Sequence, residues 1–264
     1  MSMNRSCGYK FVFLCGLHRS GTSPLFRILR EHPEISGFRN TGVPEEEGQH
    51  LQTVYLPAKA HGGPGRFGFI PEAHLTENSP LNTPESGQKL FAEWSKFWDL
   101  SKPFLLEKSP PNLIRTRFLQ AVFPESHFIV ISRHPIAVSL ATWKWSRSSL
   151  ESLIEHWLHC HCLFEQDRPY LRHVLVIKYE DLICATEPAL EKIYRFLGLV
   201  PQVSAPLNPD GNERYFEVWR KLAVERRGRD LCRRIVAKYE HKVQTYGYSL
   251  ADCSSTTPAD SSAR

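Results

Sequence analysis

Short hydrophobic runs alternate along the chain with segments in which apolar residues recur every three or four positions. The hydrophobic runs predict β-strands at residues 9–15, 104–106, 127–132 and 174–179, with a shorter fifth strand at 34–37. The periodic segments predict helices that begin near residues 23, 111, 135 and 186. Strands of a parallel sheet are buried on both faces and are apolar almost throughout, as residues 128–131 are. The pattern therefore predicts an α/β protein with three α/β/α layers around a parallel sheet of four or five strands.

One long segment, residues 38–101, interrupts this alternation. It is rich in Gly, Pro, His and Asn, and helical periodicity is clear only at 87–98. Long irregular insertions in α/β domains often form a wall of the active site, so we expect residues 38–101 to select the substrate. A last helix is predicted at 229–245. The domain is expected to span residues 1–251, and the small, polar segment 252–264 is predicted to be disordered.

Composition narrows the possible functions. With 264 residues, 41% hydrophobic and 23% charged, the chain can bury a full core, which excludes a disulfide-stapled miniprotein and general disorder. Its longest apolar runs are too short to cross a bilayer. The net charge of +5 is spread along the chain, which favours small anionic ligands over nucleic acid. Seven cysteines without a C-x-x-C pair, and an N-terminus without an apolar signal core, predict a cytoplasmic protein with reduced thiols.

The connection from the first strand to the first helix has the composition of a phosphate-binding loop. Gly16 and Gly21 have the G-x-x-x-x-G spacing of a P-loop, where backbone amides and a helix N-terminus face an anion. A Walker A loop continues with Lys, which reaches the nucleotide phosphates, but this chain has Thr22 there and carries Arg19 inside the loop. The loop therefore predicts a P-loop NTPase-like fold without the NTPase lysine. The alternative is a plain strand-turn-helix connection that uses glycine for tight geometry.

A second cation is predicted at the same edge of the sheet. Arg133 directly follows the strand at 127–132. Two positions later comes Pro135, a residue that suits the first turn of a helix. Ligands of open α/β sheets bind at this carboxyl edge, where an NTPase often has an acidic residue instead. The alternative is a solvated arginine at a strand end.

Four segments, in this order, resemble the sulfotransferases that use 3′-phosphoadenosine 5′-phosphosulfate (PAPS). FVFLCGLHRSGTS resembles their 5′-phosphosulfate loop, and FPESHFIVISRHP resembles their 3′-phosphate strand and helix. IKYEDL followed by RFLGL, and then YGY, resemble later segments of the family. The resemblance covers about residues 9–248, and its motifs are closest to the protein-tyrosine and bacterial branches.

The resemblance implies a role for each matching residue. The 5′-phosphosulfate would be cradled by the loop residues His18, Arg19, Ser20, Gly21, Thr22 and Ser23. Arg133 would hold the 3′-phosphate, and Tyr179 would lie near the adenine. Where the family has a serine that binds the 3′-phosphate, this chain has Ala141, and Thr142 is the predicted substitute. The segment 226–228 (RRG) is similar to the family's C-terminal basic loop, with a solvated helix cap as the alternative.

Sulfuryl transfer also needs positive charge on the leaving oxygen and a base for the acceptor proton. Arg19 and Lys108 are predicted to supply the charge, so that no metal is required. Cytosolic relatives carry a catalytic histidine at the position of Pro110, and the base must therefore lie elsewhere. Protein-tyrosine sulfotransferases use a glutamate after a His-Pro pair that resembles residues 32–33; the ungapped position is Asn40.

The nearest acids to that position are the three consecutive glutamates 45–47. Glu47 is the first candidate for the base and Glu45 the second, and His50 is a further candidate. The alternative is that all three glutamates form a solvated loop face.

The sequence thus predicts a PAPS-dependent sulfotransferase that releases 3′-phosphoadenosine 5′-phosphate (PAP). Its acceptor would be a hydroxyl or amine on a small molecule, saccharide or peptide. The alternatives are a P-loop NTP-dependent kinase and a non-catalytic nucleotide-binding module. The aromatic residues Trp143 and Trp145 are expected in the core rather than in an acceptor pocket.

Overall fold

The computed structural model describes residues 8–253 and contains one parallel sheet. Its strands are β1 (Lys10–Cys15), β2 (Ile35–Gly37), β3 (Phe104–Lys108), β4 (His127–Ser132) and β5 (His173–Lys178). They lie in the order β2-β3-β1-β4-β5, and helices flank the sheet. The predicted α/β fold is confirmed, including the short fifth strand. The tail predicted to be disordered begins at residue 252, but Cys253 is buried against the core, and residues 254–264 lie outside the described part of the chain.

The register of the sheet brings three strand ends together. Leu14 of β1 pairs with Lys108 of β3, and Cys15 of β1 pairs with Val130 of β4. These central strands are buried on both faces, which explains their continuous apolar sequence. Residues that follow β1, β3 and β4 therefore meet at one carboxyl edge, where open α/β sheets bind ligands.

Most helices begin close to where the periodicity predicts them. They are α1 (Thr22–Leu29), α2 (Pro84–Trp94), α3 (Thr116–Val122), α4 (Pro135–Trp143), α5 (Leu150–Asp167), α6 (Tyr179–Cys184), α7 (Thr186–Leu197), α8 (Glu213–Val224) and α9 (Arg226–Gln244). The helix predicted near residue 111 is different: Pro110–Ile114 form a 3-10 turn, and α3 begins only at Thr116. Consecutive prolines suit a short 3-10 turn because they have no backbone N–H to donate.

Further boundaries differ from the sequence prediction. The helix predicted at 87–98 is α2, which begins and ends earlier, at Pro84 and at Trp94. Thr83 caps it by accepting a hydrogen bond from the Ser86 N–H at 3.2 Å. Tyr179, predicted as the last residue of a strand, is instead the first residue of α6.

Residues 38–101 contain α2 and five 3-10 turns, at Pro44–Glu46, Gly48–His50, Ala58–His61, Phe67–Phe69 and Pro71–Ala73. Buried aromatic side chains, among them Phe38, Tyr55 and Phe67, anchor this segment to the core. A segment with so little regular structure keeps its shape through such anchors and through side-chain hydrogen bonds.

The expectation that Trp143 and Trp145 lie in the core is wrong. Their exposed fractions are 42% and 58%. The reason is that α4 ends at Trp143, so Trp145 falls in the connection to α5 and lies over the phosphate loop. Within residues 8–253, no helix has both the length and the apolar character that a membrane span requires.

Candidate active site

The loop between β1 and α1 is held in a tight, partly left-handed conformation. Arg19 has φ 70° and Gly21 has φ 101°. The Ser20 hydroxyl donates to the Leu17 carbonyl at 2.6 Å, and the Ser20 N–H donates to the same oxygen at 3.0 Å. Ser20 is buried, so its side chain braces the loop from inside.

Both glycines of this loop are required by close contacts. A Cβ on Gly16 would lie 2.5 Å from the Ile131 carbonyl oxygen, and one on Gly21 would lie 2.4 Å from Cδ2 of Tyr179. Tyr179 therefore packs directly against the phosphate loop. The G-x-x-x-x-G spacing thus reflects the packing of β4 and Tyr179 as well as loop geometry.

Helix α1 presents an N-terminus suited to an anion. Gly21 is its N-cap and brings no side chain, and its first turn, from Thr22 to Leu25, holds no acidic residue. The first backbone N–H groups of a helix have no partner within the helix, and the helix dipole makes this end positive. Thr22 and Ser23 are therefore placed to donate to a bound phosphate or sulfate.

Lys108, at the end of β3, connects this helix to the glutamate loop. Its side chain is fully buried. Its ammonium group donates to the Glu45 carbonyl at 2.8 Å, to Oε1 of Glu47 at 3.3 Å and to Oγ of Ser23 at 3.4 Å. A buried cation is thus fixed between the anion-binding end of α1 and a carboxylate.

The three consecutive glutamates point in different directions. Glu45 and Glu46 both adopt left-handed φ values, 52° and 53°, which turn the chain sharply. The half-exposed Glu45 carboxylate pairs with Arg27 at 3.5 Å, and the Glu46 carboxylate pairs with Arg30. Glu47 is buried and faces Lys108. The solvated-face interpretation fits Glu45, whereas Glu47 faces the site.

Two histidines lie beside this ion pair. His50 Nε2 is 3.9 Å from Oε2 of Glu47. Burial, with smaller effects from the charges of Lys108, Arg19 and His50, lowers the pKa of His18 to about 3. His18 is therefore neutral at pH 7, and its ring packs edge-on against Phe67 at 5.7 Å between centroids.

Arg19 extends from the loop onto Trp145. Its guanidinium carbon lies 3.2 Å from the centroid of the Trp145 ring. Stacking uses the face of the guanidinium, whereas its N–H donors lie in the plane, so the donors stay available to an anion. This contact could not be predicted from the sequence, because an exposed aromatic residue after a helix has no distinguishing pattern.

Arg133 links the phosphate loop to the segment before α8. Its guanidinium donates to the Arg19 carbonyl, to the Gly211 carbonyl and to Oδ1 of Asn212, each at 2.7 Å. It also lies 4.2 Å from the centroid of the Tyr179 ring. A guanidinium has five N–H donors. Contacts within residues 8–253 use three of them, so two remain for a ligand. Asn212 is 79 positions from Arg133, and no sequence signal connects the two.

Thr142 lies near the start of the phosphate loop. It borders a small cavity together with His18 and Ser139, and its hydroxyl donates to the Val138 carbonyl of its own helix at 2.7 Å. Its predicted role at the 3′-phosphate stays a prediction. So does that of the basic residues Arg226 and Arg227, which are exposed at the start of α9.

The site therefore has two cationic regions. One is formed by the amides of α1 with Arg19 and Lys108, next to the Glu47 carboxylate. The other is formed by Arg133 beside Tyr179. The carbonyl of Arg19 connects them through its bond to Arg133. Such an arrangement suits a ligand with two anionic groups and a reaction that transfers a proton to a carboxylate.

Comparison with known proteins places this geometry in context. Residues 12–202 match the model of a family described as the sulfotransferase family. The sulfotransferase domain from the Curacin biosynthetic pathway is similar in structure, with a TM-score of 0.50, 14% identity, and coverage of 87% of this chain and 97% of that chain.

A sulfotransferase from Mycobacterium tuberculosis has a TM-score of 0.49 and 14% identity, covering 79% of this chain and 71% of that one. The sulfotransferase domain of the Synechococcus olefin synthase has a TM-score of 0.48 and 19% identity, covering 79% and 87%. At 14% identity, the similarity to the domain from the Curacin pathway speaks for the fold alone. No curated protein sequence matches the chain.

Proposed function

The chain belongs to the sulfotransferase family and is a sulfotransferase, and we propose that it transfers the sulfuryl group of PAPS to a hydroxyl or amine acceptor. The observation that carries this proposal is the buried Lys108, held between Ser23 at the start of α1 and the carboxylate of Glu47. A cation fixed between an anion-binding helix end and a base is what an in-line transfer from an anionic donor needs.

The proposed donor fits the two cationic regions. The cradle for its 5′-phosphosulfate is His18, Arg19, Ser20, Gly21, Thr22 and Ser23, of which Thr22 and Ser23 contribute helix N-terminal amides. Arg133, with two donors to spare, is suited to the 3′-phosphate, and Tyr179 provides an aromatic surface beside it. Ser20 supports this cradle from within rather than by direct contact, since its hydroxyl is bonded to Leu17.

Each catalytic group has a defined task in this proposal. When bound, PAPS supplies the sulfuryl group: a bond forms between the acceptor atom and sulfur, and the bond from sulfur to the phosphate oxygen breaks, leaving its electron pair on that oxygen. Glu47 takes the proton of the acceptor. Arg19 donates to the oxygen that gains negative charge. Lys108, whose three N–H groups reach Glu45, Glu47 and Ser23, does so by exchanging its 3.4 Å contact with Ser23 for that oxygen. Glu45, the second candidate for the base, contributes its backbone carbonyl to Lys108, whereas its carboxylate is bound to Arg27.

Calorimetric titration tests the donor without knowledge of the acceptor. We expect PAP to bind at least about tenfold more tightly than ATP, with or without magnesium, because Arg133 contributes charge-assisted hydrogen bonds only to a 3′-phosphate. A preference for ATP that depends on magnesium would support a kinase instead and would contradict the proposal.

A pair of neighbouring substitutions tests the base. Glu47→Gln should lower turnover of sulfur-labelled PAPS with a panel of phenols, alcohols and amines by about 10² to 10⁴-fold and leave PAP affinity within about twofold. Glu45→Gln is the matched control, because it removes a carboxylate two positions away that faces solvent. Full turnover in Glu47→Gln together with loss in Glu45→Gln would move the base to Glu45.

A further inference from the structure

The segment that carries Glu47 is anchored to the end of β3 by side chains on one face of that strand. Glu107 and Ser109 share this face, because alternate residues of a strand point the same way. The Glu107 carboxylate fills the space beside Gly48, where a Cβ would lie 2.4 Å from its Oε1. Ser109 Oγ accepts the N–H of Gln49 at 2.9 Å and donates to Oε1 of Glu107 at 2.5 Å.

Gln49 continues these contacts to Glu47. The side chain of Gln49 is buried, and its Nε2 donates to Oε2 of Glu47 at 2.5 Å. Its Oε1 accepts the N–H of Ala58 at 2.8 Å. Because a backbone N–H can only donate, this second bond identifies the oxygen end of the amide, so the NH2 group must face the carboxylate.

We infer that Gln49 is a positioning residue that holds the Glu47 carboxylate against Lys108, and that the buried pair of Glu107 and Ser109 holds Gln49 in turn. This inference rests on the proposed function, in which Glu47 is the base. A carboxylate between two fixed donors, Nε2 of Gln49 and Nζ of Lys108, is restricted to one orientation. A restricted base keeps its lone pair directed at the acceptor proton in every turnover.

Gln49 also supplies a hydrogen-bond donor to the Glu47 carboxylate. A hydrogen bond donated to a carboxylate favours its ionised form, which is the form that accepts a proton. The other titratable groups around Glu47 are Lys108 and Glu107 on β3, His50 on its own segment and His18 in the phosphate loop. The pH profile of a Gln49 variant must therefore be compared with that of a second variant in which these titratable groups are also unchanged.

Two variants in one segment provide that comparison. Gln49→Glu keeps the acceptor for Ala58 but turns the donor that faces Glu47 into a second carboxylate. Gln52→Glu is the matched control, because Gln52 is a buried glutamine three positions away that bonds the backbone of Gln49 and Tyr55 rather than Glu47. In Gln49→Glu we expect kcat to fall at least about tenfold, and the acidic limb of the pH profile of kcat to move up by about one pH unit or more. The affinity for PAP should stay within about twofold of that of the wild type. In Gln52→Glu the pH profile should keep its position.

A measurement on the unmodified protein decides the question even where a variant fails to fold. The NMR resonances of the Gln49 side-chain NH2 should follow the titration of Glu47, and Glu47→Gln should abolish that titration. An NH2 signal that does not change between about pH 3 and 8, or equal pH profiles for Gln49→Glu and Gln52→Glu, would overturn the inference while the sulfotransferase proposal stands. Full turnover in Glu47→Gln would instead overturn the assignment of the base.

Discussion

Replacing Glu107 by glutamine tests the electrostatics of the buried cluster behind Lys108. Glu107 is fully buried. The pKa of its carboxyl is raised from 4.5 to about 7, mainly by burial. Hydrogen bonds from Ser109 and Asn112 and the charge of Lys108 lower the pKa, and the charge of Glu47 raises it. The side chain therefore binds a proton more tightly in the folded protein than in the unfolded chain.

The size and sign of the effect on stability follow from linkage. One pKa unit corresponds to 1.36 kcal/mol, so a pKa of about 7 instead of 4.5 means that ionised Glu107 destabilises the fold by about 3 kcal/mol. A raised carboxyl pKa contributes stability that is complete below pH 4.5 and is lost as the pH rises through 7. Glutamine cannot ionise and avoids this loss. With its oxygen in the place of Oε2, the amide keeps the bond from Nδ2 of Asn112, and its NH2 group faces Oγ of Ser109, which can accept a hydrogen bond.

The assay is urea unfolding of the wild type and of Glu107→Gln at pH 5 and at pH 8.5. At pH 5 the variant should already be more stable by up to about 1 kcal/mol, because the carboxyl of Glu107 is then largely ionised in the unfolded chain. By pH 8.5 the variant should be more stable than the wild type by up to about 3 kcal/mol. Groups remote from Glu107 titrate equally in both proteins and cancel in the difference. Glu34→Gln, which removes an exposed carboxyl, should show a difference below about 0.5 kcal/mol at both pH values. The stability of Glu107→Gln relative to the wild type could instead fall between pH 5 and pH 8.5. Glu107 would then be held ionised by its hydrogen bonds and by Lys108, and the reasoning would be refuted.

Two predictions concern the cationic groups. Arg133→Ala should reduce the preference for PAP over 5′-AMP by about tenfold or more, as measured by calorimetry, and should change the affinity for 5′-AMP little. An equal loss of affinity for both nucleotides would show that Arg133 acts only through its bonds to Arg19 and Gly211. Trp145→Leu should weaken PAP binding by about two- to fivefold, because a cation–π contact worth about 0.5–1 kcal/mol no longer holds Arg19 in place; tighter binding would mean that the stack competes with the ligand.

The features that sequence analysis predicted correctly depend on local pattern. Continuous apolar runs require burial on both faces, and their alternation with helical periodicity leaves few arrangements other than a parallel α/β sheet. The position of Arg133 at the end of β4 followed in the same way, because the end of a hydrophobic run can be read directly. Helix boundaries were less accurate: Thr83 and Pro84 start α2 earlier than its periodicity suggests, and consecutive prolines delay α3.

The glutamate loop shows where sequence reasoning stops. Three identical neighbours, Glu45 to Glu47, have the same chemistry and differ only in direction. That direction depends on left-handed φ values at Glu45 and Glu46, an unusual conformation for residues other than glycine. It also depends on Lys108, 61 positions away from Glu47. The family resemblance pointed only to the three glutamates as the acids nearest to Asn40, and the contact of Glu47 with Lys108 became visible only in the fold.

The sequence by itself determined the class of fold, the phosphate loop and the family resemblance, because each is written in residues that are neighbours along the chain. Only the tertiary structure decided which side chains surround that loop: Trp145 on Arg19, Asn212 on Arg133, and Gln49 between Glu47 and Ala58. The physical reason is that a parallel sheet gathers the ends of strands that are distant in sequence at one edge, and side-chain contacts made there leave no periodic trace along the chain.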